Sequence, residues 1–236
     1  MPSLGGSFMF TFKQFHVEQD RTAMKVGTDG VLLGAWAEGG RTILDIGTGT
    51  GLVALMMAQR YEDAQVVGID IDLDASEQAR KNVAASPFAS RISILHSSLQ
   101  AFKTESKFDA IVSNPPYFEH SLKNPDATRA AARHADSLPF ADLVSGVSRL
   151  LADEGVFSAI VPMDCLERFC SEAYLAGLFL LRRYDVKTTP RKPSKRCLVA
   201  FCRRRPDVFD RQEVCLMDEG GVRSAWYAAL TKEFYL

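Results

Sequence analysis

Apolar residues along this chain gather into short runs, separated by stretches in which they recur every three or four positions. The runs Thr42–Ile46, Gln65–Asp70, Arg91–Leu95, Phe108–Ser113 and Gly155–Pro162 read as strands buried on both faces. Between them, Leu52–Ala58, Ala75–Ala85, Leu138–Leu151 and 164–177 read as helices. This alternation predicts an α/β fold, a mostly parallel sheet with helices on both faces. Leu178–Val186 and Cys197–Arg204 read as two further strands joined by a turn at Pro190–Pro193, which predicts an antiparallel hairpin at the sheet edge. Near the start, Phe8, Phe10 and Phe12 alternate with polar residues, as a short strand with one buried face requires, and Phe15 follows. Thr28 or Asp29 is placed to cap a helix beginning near Gly30, and Ala225–Leu230 is helical in pattern. Repeats and low-complexity linkers are absent from the sequence. One domain over residues 1–236 is therefore expected, with an N-terminal extension (1–40), a core (41–205) and a C-terminal tail (206–236).

The run Phe108–Ser113 ends in Asn114-Pro115-Pro116-Tyr117. Two successive prolines supply no backbone N–H, so the strand stops there and a stiff elbow follows. In an open α/β sheet the carboxyl ends of the strands are where ligands bind. The elbow has the parts to hold a planar group bearing an –NH2. The Asn114 side-chain oxygen and the Pro115 carbonyl are acceptors, and Tyr117 offers a flat ring for stacking. Two acceptors on one amine draw its lone pair out of conjugation, which readies it to attack an electrophilic methyl group. The stretch contains no evident strong general base.

Upstream, Thr42–Ile46 runs into Gly47-Thr48-Gly49-Thr50-Gly51 and then a helix. Glycines at these positions let the backbone approach a ligand closely, and the helix N-terminus favours an anion. The spacing differs from the Gly-x-Gly-x-x-Gly dinucleotide fingerprint. With Asp45 in front, Asp-x-Gly-x-Gly-x-Gly resembles the S-adenosylmethionine site of Rossmann-like methyltransferases. Asp70 closes the next apolar run and can accept two hydrogen bonds from ribose hydroxyls; Asp72 is the neighbouring alternative. Methyltransferases of this class often carry an Asp soon after the third strand, for the adenine amino group. Here the stretch reads His96-Ser97-Ser98-Leu99-Gln100, and Ser98 is the nearest match by position.

Composition narrows the picture. No apolar run is long enough to span a bilayer, and Met1–Gly6 lacks the basic and apolar regions of a signal peptide, so a cytoplasmic protein is expected. The five cysteines lack close redox or zinc spacing and the four histidines are scattered; reduced, mostly core cysteines and no metal site are expected. The net charge is −1, but residues 182–205 hold ten Arg and Lys against one Asp, or +9 in 24 residues. Such a block suits a phosphate backbone, with Arg191, Lys192, Lys195 and Arg196 as the candidate RNA contacts, and it equally suits a solvated sheet edge. The polar residues 119–137, with Lys123, Arg129, Arg133 and His134, follow the elbow as a candidate lid, or as plain helix-end and capping positions.

The whole order is similar to that of amino-group methyltransferases that use S-adenosylmethionine. The segment from Gln19-Asp20-Arg21 to Met24-Lys25-Val26-Gly27-Thr28-Asp29-Gly30-Val31-Leu32-Leu33 resembles the N-terminal signature of the bacterial tRNA1(Val) (adenine-37-N6)-methyltransferase family. Arg133-His134, Thr189-Pro190-Arg191 and the end Leu230-Thr231-Lys232-Glu233-Phe234-Tyr235-Leu236 look similar too. The resemblance covers nearly the whole chain. It implies a Rossmann-like class I methyltransferase fold and methyl transfer to N6 of the adenine next to the anticodon of a valine tRNA. It also implies that Asn114 and Pro115 hold the amine, that Tyr117 stacks on the base, and that Gly47, Gly49, Gly51 and Asp70 hold the cofactor beside Asp45. Lys25 and Thr28 would close over it. A glutamine-amide methyltransferase needs the same elbow, but it usually carries an extra N-terminal helical domain for which the first 46 residues leave no room. An adenine-N6 or guanine-N2 methyltransferase of ribosomal RNA and a non-catalytic RNA-binding module are the remaining alternatives.

Overall fold

The computed structural model describes residues 9–20, 22, 25–115 and 138–235. Its centre is an eight-stranded sheet. In chain order the strands are β3 (Thr42–Ile46), β4 (Gln65–Asp70), β5 (Ile92–His96), β6 (Phe108–Ser113), β7 (Leu151–Pro162), β8 (Phe179–Lys187), β9 (Arg196–Cys202) and β10 (Asp210–Cys215). They lie side by side as β10-β8-β9-β7-β6-β3-β4-β5. From β5 to β7 every pairing is parallel. The expected hairpin is present: β9 is antiparallel to both β7 and β8. Beyond it β10 adds in parallel to β8, so the outermost strand comes from the segment read as tail. A pair of short strands, β1 (Met9–Thr11) and β2 (His16–Glu18), makes a separate antiparallel hairpin.

Residues alternate across the sheet into two cores, as strands buried on both faces must. Ile43, Ala110, Val112, Leu198 and Ala200 face one side, with helices α1 (Thr28–Trp36), α2 (Leu52–Arg60) and α3 (Leu73–Ala84). Leu44, Ile46, Ile111, Val199 and Phe201 face the other, with α4 (Phe140–Leu150) and α5 (Leu166–Leu175). Phe157 and Phe169 are fully buried on that second side, each contributing roughly 1.5–3 kcal/mol. The N-terminal aromatics join the first core. Phe12 stacks on Phe15 and on Tyr235, after the last helix α6 (Ala225–Thr231), and Lys13 N–H donates to the Phe234 carbonyl at 2.9 Å. Residues 12–13 are thereby fastened to residues 234–235.

Helix α1 begins at Thr28 rather than Gly30, and its cap is Gly27 with no side-chain hydrogen bond, so neither Thr28 nor Asp29 caps it. It lies close on α2 because Gly30 faces Leu52 and Gly34 faces Met56; a Cβ on Gly34 would sit 2.9 Å from Met56 Cβ. That contact aims the N-termini of α1 and α2 at one place. All five cysteines are free thiols; Cys197 is buried, and the other four are partly exposed, Cys165 and Cys170 packing against the second core.

Candidate active site

The carboxyl ends of β3 and β6 lie side by side, with Ile46 opposite Ser113. The Ser113 hydroxyl donates to the Ile46 carbonyl at 2.9 Å, which ties the two strand ends together. Gly47 and Asn114, the next residue on each strand, therefore emerge as neighbours. They open into a cavity of about 380 Å³ whose wall also contains Lys25, Thr28, Asp45, Gly49 and Arg196. That volume lies within the range of small-molecule sites. Sequence-predicted residues far apart in the chain thus meet: the glycine loop, the N-terminal Lys25 and Thr28, and the elbow residue Asn114. Pro115 is buried next to Asn114. Tyr117 and the candidate lid, with Arg129, Arg133 and His134, lie outside the described residues.

The loop has the shape of a cradle. Gly47, Gly49 and Gly51 all have positive φ, at 71°, 57° and 81°. A Cβ at Gly47 or Gly49 would meet no atom within 4 Å and would project into open space. Such a Cβ would occupy the room that a ligand needs, and the left-handed backbone would be strained. Gly68 on β4 serves the same loop, because a Cβ there would meet Thr48 Oγ1 at 2.8 Å.

Two carboxylates set the electrostatics. Asp45 is buried, and its Oδ2 accepts from Thr48 Oγ1 at 2.7 Å and from Ala54 N–H at 3.2 Å. It braces the loop against the first turn of α2. Burial pushes its carboxyl up to about 7, against the two hydrogen bonds, and nearby Asp70 adds to the rise. Asp70 is half-buried and bridges two loops: Oδ2 accepts from Gly49 N–H at 2.8 Å and Oδ1 from Asp72 N–H at 3.0 Å. Its carboxyl is also raised, mainly by burial. Asp72, the neighbouring candidate, is the cap of α3, its Oδ1 accepting from Asp74 N–H at 2.8 Å.

Asp70 lies one strand outward from the cavity. Sequence reasoning missed two exposed apolar side chains near this strand end: Ile71, the next residue (51% exposed), and Leu95, opposite Ile69 on β5 (42%). Exposed aliphatic side chains at such strand ends suit the flat face of a base. Only their adjacency to strand ends could have flagged them. Ser98 follows on the next loop, where its Oγ accepts from Ala101 N–H at 3.1 Å, so this hydroxyl already serves a turn.

These features suit S-adenosylmethionine. The positive-φ cradle leaves space for its close approach, and two helix N-termini with Lys25 suit the amino-acid carboxylate. Asp45 suits positive charge and Asp70 the ribose diol.

The basic segment resolves into pairs. Arg182 is bound to Glu38 at 2.9 Å and lies over Trp36; Arg183 is bound to Asp185 at 2.7 Å; Lys187 is paired with Glu213 and Arg204 with Glu154. Arg203 donates to the carbonyls of Leu151 and Ser148. Arg196 forms an ion pair with Asp29 in the cavity wall, which sets it apart from the outer cationic surface where the sequence grouped it. Among the described residues, the exposed cations left at the cavity end of the sheet in this segment are Lys192, Lys195 and Arg191, the last only 4.0 Å from Glu219.

Residues 24–138 match the Methyltransferase small domain. The chain is 52% identical over 229 residues to the tRNA1(Val) (adenine(37)-N6)-methyltransferase of Phocaeicola vulgatus, covering 96% of this chain and 97% of that one. It is 47% identical over 233 residues to the protein of that name from Bacteroides fragilis, covering 96% and 97%. Among solved structures, a predicted O-methyltransferase of Agrobacterium tumefaciens superposes with a TM-score of 0.67 at 18% identity, over 87% of this chain and 96% of that one. The glycopeptide N-methyltransferase MtfA, in complex with S-adenosylmethionine, gives 0.56 at 12% identity, over 77% and 100%. Those structures share the class I methyltransferase fold, and the sequence relatives are closer: this chain belongs to the tRNA1(Val) (adenine(37)-N6)-methyltransferase family.

Proposed function

We propose that this chain methylates the exocyclic N6 of adenine-37 in tRNA1(Val), using S-adenosylmethionine. The observation that supports this reading most is the junction of β3 and β6, where Asn114 and the glycine loop open into one cavity. It joins a place for a planar amine to a place for the cofactor. The near-full-length identity to relatives of that name supplies the substrate.

Bound S-adenosylmethionine supplies a methyl group on positively charged sulfur. The protein's own part is to hold the amine. The Asn114 side-chain oxygen and the Pro115 carbonyl accept its two N–H groups, and Tyr117 stacks on the base. The lone pair is then localised and directed across the cavity, and this positioning carries the catalysis. Gly47, Gly49 and Gly51 would form the cradle, Asp70 would take the ribose, and Ser98 would serve the adenine end of the cofactor. Lys25 and Thr28 form the facing wall.

Adenine-37 must turn out of the anticodon-loop stack, at a cost of a few kcal/mol, and backbone contacts offset that cost. Arg191, Lys192 and Lys195 supply those contacts at the mouth, and Arg196 acts inside the cavity. The chain works as one domain, with its N-terminal extension forming one wall of the site. Valine-tRNA specificity and a cytoplasmic location follow from the same reading. Among the described residues, no helix is long and apolar enough to cross a membrane.

The test uses two unmodified transcripts of tRNA1(Val), one natural and one with guanine in place of adenine-37. Methyl incorporation into the first alone is the expected result. Equal incorporation into both places the target base elsewhere.

A further inference from the structure

Asn82 lies in the last turns of α3 and is 3% exposed, yet none of its atoms reaches the cavity wall. Asparagine is a mediocre helix former, and a buried amide is costly unless its hydrogen bonds are made. Here they are made to two distant parts of the chain. Nδ2 donates to the Glu18 carbonyl and to the Thr50 carbonyl, both at 2.8 Å, and Oδ1 accepts from Glu18 N–H at 2.9 Å. The amide satisfies both backbone groups of Glu18, as a neighbouring strand would.

Each partner leads directly to one wall of the cavity. Thr50 stands between Gly49 and Gly51 and lines the cavity itself. Glu18 ends β2 and is followed by Gln19, whose Oε1 accepts from Val26 N–H at 2.6 Å and whose carbonyl accepts from Lys25 Nζ. Lys25 to Gly30 then form the facing wall. One side chain therefore refers the glycine loop and the N-terminal wall to the same point on α3. We infer that Asn82 is a positioning residue that fixes the spacing between these walls and thereby sets the affinity for S-adenosylmethionine. This rests on the cofactor assignment given above.

The experiment is calorimetric titration of the full-length protein with S-adenosylmethionine, paired with methyl-transfer kinetics and melting curves. Asn82→Ala should weaken cofactor binding by about tenfold or more, since two donors and an acceptor are lost. The KM for the cofactor should rise by a similar factor. The kcat at saturating cofactor and the KM for tRNA should stay within about twofold, because the elbow is untouched. Val83→Ala, a buried change on the same helix outside the cavity lining, should lower the melting temperature and leave cofactor affinity unchanged. Unchanged affinity in Asn82→Ala, or an equal loss in Val83→Ala, would overturn the inference. A wild-type protein that gives no heat with the cofactor would instead overturn the site assignment, so the two failures are told apart.

Discussion

The backbone N–H of Gly49 donates to Oδ2 of Asp70 at 2.8 Å, across 21 residues of chain. The glycine loop and the acid proposed to hold the ribose are thus one unit, and each holds the other in place. Asp70→Ala removes the ribose acceptor and the loop's brace together. Hydrogen bonds to a charged acceptor are worth about 1.5–3 kcal/mol each, so affinity for S-adenosylmethionine should fall by about 100-fold or more. Equilibrium binding of the cofactor measures this. A loss below about threefold would remove Asp70 from the site.

Asn114 lines the same cavity but is assigned to the substrate amine. Asn114→Ala should lower kcat by at least about 100-fold, in line with the loss of one preorganised transition-state contact. Cofactor affinity should stay near that of the natural protein. Parallel loss of both quantities would reassign Asn114 to the cofactor.

Asp45 gives the site a pH dependence whose sign follows from burial. Its carboxyl is pushed up to about 7 in the folded protein, against an ordinary value of 3.8 for a free side chain. Below the lower value both states hold the proton and nothing changes. As pH rises from 3.8 to about 7, the unfolded chain ionises while the folded one does not, so the folded state loses stability across that window and no more above it. Asp45→Asn keeps an oxygen for Thr48 and Ala54 and should flatten this decline. Denaturant melts at several pH values between about 4 and 8 test it, with an unaltered profile as the contrary result. The cationic cofactor favours the ionised form, so binding at a pH just below the folded-state value should release a proton in the natural protein and less in Asp45→Asn.

The outer cations Arg191, Lys192 and Lys195 carry the prediction for RNA. Changing all three to Ala should weaken tRNA binding and reduce the salt slope by about two to three. Arg204→Ala, whose partner Glu154 lies at the opposite end of β9, should leave the slope unchanged. If the two variants behave alike, the RNA face lies elsewhere.

How much of this was legible in the sequence depended on whether the signal was local. The glycine spacing, the stop at Asn114-Pro115 and the acid closing β4 are local signals; in the structure Asn114 lines one cavity with the glycine loop, and Asp70 is tied to Gly49 from outside that lining. β10 escaped because an exposed edge strand, Asp210-Arg211-Gln212-Glu213-Val214-Cys215, carries almost no apolar alternation. Arg196 was grouped with its basic neighbours because a charge run does not display partners; Asp29, 167 residues earlier, claims it. Asn82 left no trace, since one asparagine in a helix looks like any other until its three bonds are seen.

The central claim is transfer of a methyl group to an adenine amine in tRNA. The direct measurement incubates the protein with labelled S-adenosylmethionine and bulk bacterial tRNA from cells lacking this activity, then identifies the labelled nucleoside by mass. The account predicts N6-methyladenosine, confined to a valine tRNA. Label absent from tRNA but present in ribosomal RNA or protein would contradict it, while leaving open the amine-holding role proposed for the elbow.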